Sequence, residues 1–339
     1  MSRIAHRYDE SDVRVRPSRR SRPRTKDRPR HEDAVIGTVL TVDRGRYTVR
    51  LEDREVIAMR ARELGRKAAV VGDDVALVGD TRGGPDRLAR IVRIEPRRSV
   101  LRRTADDTDP VERVIVANAE QLVVVTALAD PEPRPRMIDR CLVAAYDAGM
   151  QPLLVLTKAD RIDLDDPPEV LSAYEPLDVP VVVTSLREGR IEGIEAVRDH
   201  LSGRVSVLVG HSGVGKSTLV NMLVPDADRA TGHVNDVTGR GRHTSTSAIA
   251  LELPLDEEGR GGWIVDTPGV RSFGLAHVDL DRIVEHFEDL YGGLEECPRG
   301  CSHDEEECGL DLWVASGAAG PSGQARLDSL RRILRARSE

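Results

Sequence analysis

The sequence predicts an α/β architecture: a mainly parallel sheet with helices on both faces, preceded by a small all-β barrel and followed by a small helical domain. Three observations predict it. Five short strands follow one another within residues 34–96. From Val114 the rhythm changes to strand–helix alternation. After Gly274 the chain turns helical and acidic, and there it carries three of its four cysteines.

Composition narrows the class. The chain has 339 residues, 39% hydrophobic and 32% charged, which suits a globular protein of several domains. No run of eighteen apolar residues occurs, and the Arg-rich start lacks the apolar segment of a signal peptide. A cytoplasmic protein without a membrane partner is expected. The net charge is −8, yet residues 1–31 hold eleven Lys/Arg against four Asp/Glu. This segment has several prolines and no hydrophobic periodicity, so residues 1–32 read as a disordered basic arm. A basic arm on an acidic body suits a polyanion such as nucleic acid, and a solubilising tail would look the same. Of the 50 basic residues only Lys26, Lys67, Lys158 and Lys216 are lysines. Two of these four fall in the motifs below, where a compact ammonium has a specific use.

In residues 33–105, Val35–Leu40, Tyr47–Leu51, Val56–Met59, Val75–Val78 and Leu88–Val92 alternate or run apolar between turns. Five strands at this density suit an OB-fold, although an SH3-like barrel would read alike. Residues 106–275 carry six further apolar runs, at Gln121–Ala127, Pro152–Leu156, Val179–Val183, Val205–Val209, Ser247–Leu253 and Gly262–Val265. Helical patterns cover Met137–Ala148 and Ile191–Leu201.

The fourth of these six runs leads into Gly210-His211-Ser212-Gly213-Val214-Gly215-Lys216-Ser217-Thr218, a G-x-x-x-x-G-K-[ST] loop that opens a helix. Its glycines (Gly210, Gly213, Gly215) let backbone N–H groups turn inward on phosphate oxygens. Lys216 then reaches the β- and γ-phosphates, and the Ser217 hydroxyl ligates Mg²⁺. The sixth run ends in Asp266-Thr267-Pro268-Gly269, a D-x-x-G in which Asp266 holds Mg²⁺ and Gly269 senses the γ-phosphate. Between the two, Gly239–Thr246 occupies the place of a first switch loop. Thr244 or Thr246 could complete the Mg²⁺ shell there, with Thr244 favoured.

Base recognition is read earlier in the chain. Thr157-Lys158-Ala159-Asp160 ends a strand as T-K-x-D, close to the N-K-x-D guanine signature. The Asp160 carboxylate can accept from guanine N1–H and the 2-amino group, a donor pair that adenine lacks. The Lys158 stem can cover the ring, and Thr157 stands where Asn is usual. One strand later, Thr184-Ser185-Leu186 resembles the S-A-K loop, whose backbone N–H meets guanine O6. These motifs usually follow the phosphate loop, whereas here they precede it. The six strands therefore read as the usual four, five, six, one, two and three: a circularly permuted P-loop GTPase domain. Permutation preserves a site when the original termini can be joined at the surface.

Residues 276–339 hold Cys297, Cys301, His303 and Cys308 as C-x3-C-x-H-x4-C, a closed set for one tetrahedral structural Zn²⁺. Cys141 lies in an apolar helix and reads as a buried thiol, and the chain ends in a basic helix at Ala325–Ala336.

A barrel, a permuted GTPase domain and a Cys/His module in one chain resemble the small-subunit-dependent GTPases of the RsgA family. The likeness covers about residues 34–339, on Ala117-Asn118, Gly210–Thr218, Gly239–Thr246, Asp266–Gly274 and the Cys/His cluster. It implies GTP hydrolysis to GDP and phosphate, stimulated by the small ribosomal subunit during its late maturation. Val270 follows D-x-x-G where many GTPases carry a water-orienting Gln, so slow intrinsic hydrolysis is expected, with His243 as the substitute that the resemblance supports. The expected partners are the small subunit with its rRNA and GTP/GDP, met by a monomer. With few aromatics, RNA contact should rest on arginine–phosphate pairs. Two other readings remain open at this stage: an rRNA-binding module with a vestigial nucleotide site, and a permuted GTPase of the large subunit.

Overall fold

In the computed structural model, the alternation between residues 35 and 94 forms strands β1 (Val35–Asp43), β2 (Arg46–Arg50), β3 (Glu55–Arg60), β4 (Asp74–Gly79) and β5 (Ala89–Ile94). The structure describes residues 31–64, 68–84, 87–104, 112–163, 170, 174–187, 190–225, 248–267, 275, 278, 283–305 and 307–338. The five strands pair in the order β1-β2-β3-β5-β4, and β4 returns to β1, which closes a barrel. All of these pairs are antiparallel except β3–β5. Every second side chain points inward, so Val39, Val49, Val56, Ala58, Val75, Leu77 and Ile91 fill the interior.

A hairpin of β6 (Val100–Arg103) and β7 (Arg113–Ala117) leads to the second sheet. Its strands are β8 (Gln121–Ala127), β9 (Gln151–Thr157), β10 (Val181–Val183), β13 (Val205–Val209), β14 (Ile249–Leu253) and β15 (Gly262–Asp266). Their order is β10-β9-β8-β13-β15-β14, parallel throughout except for β14. All seven residues of β8 are buried, as a central strand covered on both faces requires. Helix α1 (Pro135–Asp147) packs on one face, while α2 (Ile194–Leu201) and α3 (Lys216–Leu223) pack on the other.

The expected helix from Ile191 starts later. Arg190–Glu192 instead forms β12, paired with β11 (Ser185–Arg187), and Gly193 at φ 78° turns the chain into α2. A Cβ at Gly193 would sit 2.2 Å from the Val183 carbonyl, so the turn has no room for a side chain.

Barrel and sheet belong to one compact unit, residues 33–339. Thr41 of β1 pairs with Ile249 of β14. The buried carboxylate of Asp73 accepts both Nε and Nη2 of Arg97 at 2.7 and 2.8 Å. Asn118 donates to the Gly72 carbonyl and accepts from the Arg98 N–H, both at 2.8 Å.

The C-terminal part contains α4 (Glu288–Tyr291), α5 (Gly309–Ala315) and α6 (Gly323–Ser338). Four arginines of α6 are paired within the protein. Arg326 pairs with Asp178 and Asp289, Arg331 with Asp311, Arg332 with Asp139 of α1, and Arg335 with Asp304. On its other side Leu327, Leu330, Ile333 and Leu334 join the core that contains α1. Among the described residues no helix is long and apolar enough to cross a membrane.

Candidate functional site

Parallel strands send all of their following loops to one sheet edge, where α/β proteins gather their ligand sites. The loops after β8, β9, β10, β13 and β15 meet there, and they carry most of the residues singled out in the sequence.

The phosphate loop leaves β13 at Gly210. A Cβ at Gly210 would lie 2.5 Å from the Val125 carbonyl, so only glycine lets the loop press against β8. Gly213 and Gly215 take left-handed φ values of 86° and 91°. Gly215 is the N-cap residue of α3, which begins at Lys216. Val214 anchors the loop in the core, while Ser212, Gly213, Ser217 and Thr218 are exposed. The Lys216 ammonium donates to the Asp266 carboxylate and, at 2.9 Å, to the Thr267 carbonyl. Thr267 in turn fixes the end of β15 by donating to the Leu208 carbonyl at 2.7 Å.

The two segments expected to read the base also come together. The Ala159 N–H donates to the Thr184 carbonyl at 3.1 Å, and the Thr184 N–H donates to the Leu156 carbonyl at 2.7 Å. The Ser185 hydroxyl donates to Asp160 Oδ1 at 3.2 Å, which orients that carboxylate. Ser185 is buried and Leu186 half-buried. Lys158 takes a left-handed φ of 61°, a conformation rare for a residue with a side chain.

Thr157, expected among the nucleotide contacts, is 1% exposed. Its hydroxyl donates to the Val214 carbonyl at 2.5 Å, with the Thr126 carbonyl 3.3 Å away. It therefore straps the base loop to the phosphate loop. One further loop was missed in the sequence, the one after β8. Asp130 accepts Lys158 Nζ on its carbonyl and Arg161 Nη1 on its carboxylate, the latter at 2.8 Å. Pro131 lies beside Gly213. The strand order alone could have flagged this loop, because β8 is parallel to β9 and β13 and must end at the same edge. His243, Thr244, Thr246, Gly269 and Val270 lie outside the described residues.

Lys216, Ser217 and Asp266 fit a site for Mg²⁺ with a phosphate chain, since they offer an ammonium, an exposed hydroxyl and a carboxylate at one loop cluster.

The second constellation is the cysteine–histidine cluster. One ligand atom from each of Cys297, Cys301, His303 and Cys308 lies within 4.8 Å of the other three. Cys297 Sγ is 3.6 Å from His303 Nδ1 and 3.9 Å from Cys308 Sγ, and Cys308 Sγ is 3.9 Å from His303 Nδ1. Bonds of about 2.3 Å to sulfur and about 2.0 Å to nitrogen space tetrahedral Zn²⁺ ligands by roughly 3.5–3.8 Å, so the group fits that ion. Arg331 holds the ligand loop from outside, donating Nε to the His303 carbonyl at 2.9 Å while its other nitrogens pair with Asp311.

Comparison with known proteins agrees with this geometry. A family model described as RsgA GTPase matches residues 94–276. A Pseudomonas syringae pv. tomato protein named small ribosomal subunit biogenesis GTPase RsgA is 39% identical over 274 residues, covering 79% of this chain and 74% of its own length. Its namesake from Pseudomonas putida is 38% identical over 279 residues, covering 80% of this chain and 76% of its own. The crystal structure of YjeQ from Thermotoga maritima matches 90% of this chain and 98% of its own, with a TM-score of 0.61 and 26% identity. YloQ, described as a circularly permuted GTPase, matches 92% and 98% with the same TM-score and 21% identity, a likeness of fold.

Proposed function

The chain belongs to the RsgA GTPase family, and from that premise we propose that it binds the small ribosomal subunit and hydrolyses GTP to GDP and phosphate during late maturation of that subunit. The observation that carries this reading is the meeting of two distant segments at one sheet edge. Residues 157–160 and 184–186 join residues 210–217 and Asp266 through the Thr157–Val214 strap. The sheet order β10-β9-β8-β13-β15-β14 supports a permuted GTPase, because it is the usual order of six with strands four to six placed first in sequence.

In this reading Asp160 accepts the guanine N1–H and 2-amino protons, and adenine would leave that carboxylate unpaired. Lys216 moves its ammonium between Asp266 and the β- and γ-phosphates. Ser217 and Asp266, with Thr244, would hold Mg²⁺, which when bound neutralises charge on the phosphates. Val270 cannot orient water, so His243 takes that task and the isolated protein hydrolyses slowly. Residues 33–105 act as an OB-type barrel, 106–275 as the GTPase domain and 276–339 as the zinc-holding module, in a cytoplasmic monomer. The parallel closure of β3 on β5 supports the OB assignment. On that barrel Arg46 and Arg90 flank Met59 in one cross-strand row, and all three are exposed, so rRNA phosphates have partners there. Arm residues 1–32 would add to the same attraction.

The test is co-sedimentation with purified small and large subunits in a GTP analogue and in GDP, alongside hydrolysis with and without subunits. Small-subunit binding favoured by the analogue, with hydrolysis stimulated by that subunit, is expected. Equal response to ATP, or stimulation by large subunits alone, would overturn the reading.

A further inference from the structure

We propose that Asp130 is a positioning residue for base recognition: from the loop after β8, it braces the guanine-reading turn on both sides of Asp160. The proposal rests on the reading of residues 157–160 as the base loop.

Asp160 sits in a single 3-10 turn, Ala159–Arg161, entered through Lys158 in its left-handed conformation. One turn of this kind has little stability of its own, because three residues are fixed for one hydrogen bond. The side chains at its two ends converge on one partner. The Lys158 ammonium reaches the Asp130 carbonyl, and the Arg161 guanidinium reaches the Asp130 carboxylate at 2.8 Å. Asp130 itself adopts a left-handed φ of 46°, and Pro131 beside it faces Gly213 of the phosphate loop. Asp160 is held on its remaining side by Ser185. Beside the Ala159 N–H bond to the Thr184 carbonyl and the Ser185 contact, two contacts to Asp130 thus brace the turn that carries Asp160.

The carbonyl contact survives any side-chain change, so the Asp130–Arg161 ion pair is the part that substitution can probe. Both partners are open to water, at 77% and 49% exposure. Such a pair is modest and is weakened by salt. Its loss should therefore accelerate nucleotide release about two- to fivefold at low ionic strength, and hardly at all near 0.5 M salt.

The experiment follows release of a fluorescent GDP from the full chain, with a fluorescent ADP as control, for the unaltered protein, Asp130→Asn, Arg161→Gln and the double variant. Each single change should speed GDP release at low salt, with the double no faster than the faster single. The differences should close at high salt. Multiplying effects in the double variant, a salt-independent effect or no effect would each overturn the proposal. If the unaltered protein holds ADP as long as GDP, the base-loop reading falls as well, and this comparison separates the two failures.

Discussion

Replacing Thr157 by valine tests whether the two halves of the nucleotide site are mechanically joined. The side chain is 1% exposed, and valine keeps its shape while removing the donor to the Val214 carbonyl. That carbonyl lies in the phosphate loop, and leaving a buried acceptor without its donor costs about 1–3 kcal/mol. The extra buried methyl returns about 0.8 kcal/mol, so a net loss of about 0.2–2 kcal/mol is expected. If the strap preorganises the site, part of that loss appears in binding, up to about tenfold weaker GDP affinity. Urea unfolding with an unchanged slope measures the first share, and calorimetric titration with GDP measures the second. Thr157→Ser is the discriminating companion: it keeps the hydroxyl and gives up a buried methyl, so it should lose stability while holding GDP within about twofold. GDP affinity unchanged in Thr157→Val, or lost equally in Thr157→Ser, would refute the strap.

Two further predictions concern the metal module and the core. Chelating the metal should unfold the C-terminal module, read as a change in Trp313, whose indole N–H donates to the Asp289 carbonyl at 2.9 Å; Arg331→Ala should make zinc loss about tenfold easier by freeing the ligand loop, and an intact tryptophan signal after complete zinc removal would sink the structural role. At alkaline pH, burial pushes the Cys141 thiol from 9.0 up to about 12 and the Tyr146 phenol from 10.0 to about 12. Both folded values are raised, so this stability is complete below pH 9 and is lost as pH climbs toward about 12. Urea midpoints should fall across that window, and Cys141→Ala should remove the part of the fall that begins before tyrosine titrates.

What the sequence disclosed and what it hid divide along the range of the interactions. Val39, Val49 and Val56 announce themselves by alternation, and β8 by an unbroken apolar run, because the backbone period alone sets which face a side chain takes. Gly213, Gly215 and Lys216 were legible because a phosphate loop needs those residue types at fixed local spacing. The Cys/His group was legible for the same reason. The role of Thr157 was not, since its partner Val214 lies 57 residues away and nothing local reports it. Asp130 lies in an unremarked loop and gains its meaning only from the sheet order. In the sequence α6 shows only as a basic helix, because the aspartate partners of its arginines are scattered from Asp139 to Asp311.

Those ion pairs bear on how a permuted chain can transmit a change. Permutation places Asp266 at the end of the last sheet strand, so the chain passes from the phosphate site into the metal module. That module is not tethered there alone, because α6 carries it back to the half of the sheet that holds residues 157–160. Arg332 meets Asp139 of α1 at 3.3 Å, and Arg326 donates to the Pro176 carbonyl at 2.7 Å. Asp139 is 3% exposed, and burial raises its carboxyl against the pull of Arg332. Burial of Asp139 makes the pair a weak source of net stability, yet separating it would leave that carboxylate without its cation, at a cost that the partial exposure of Arg332 holds below the ~3–5 kcal/mol of a fully buried pair. A typical allosteric coupling supplies only about 1–3 kcal/mol. The α1–α6 contact is thus comparable with such a coupling, and together with Arg326 it ties the Cys/His module to the half of the sheet that holds residues 157–160.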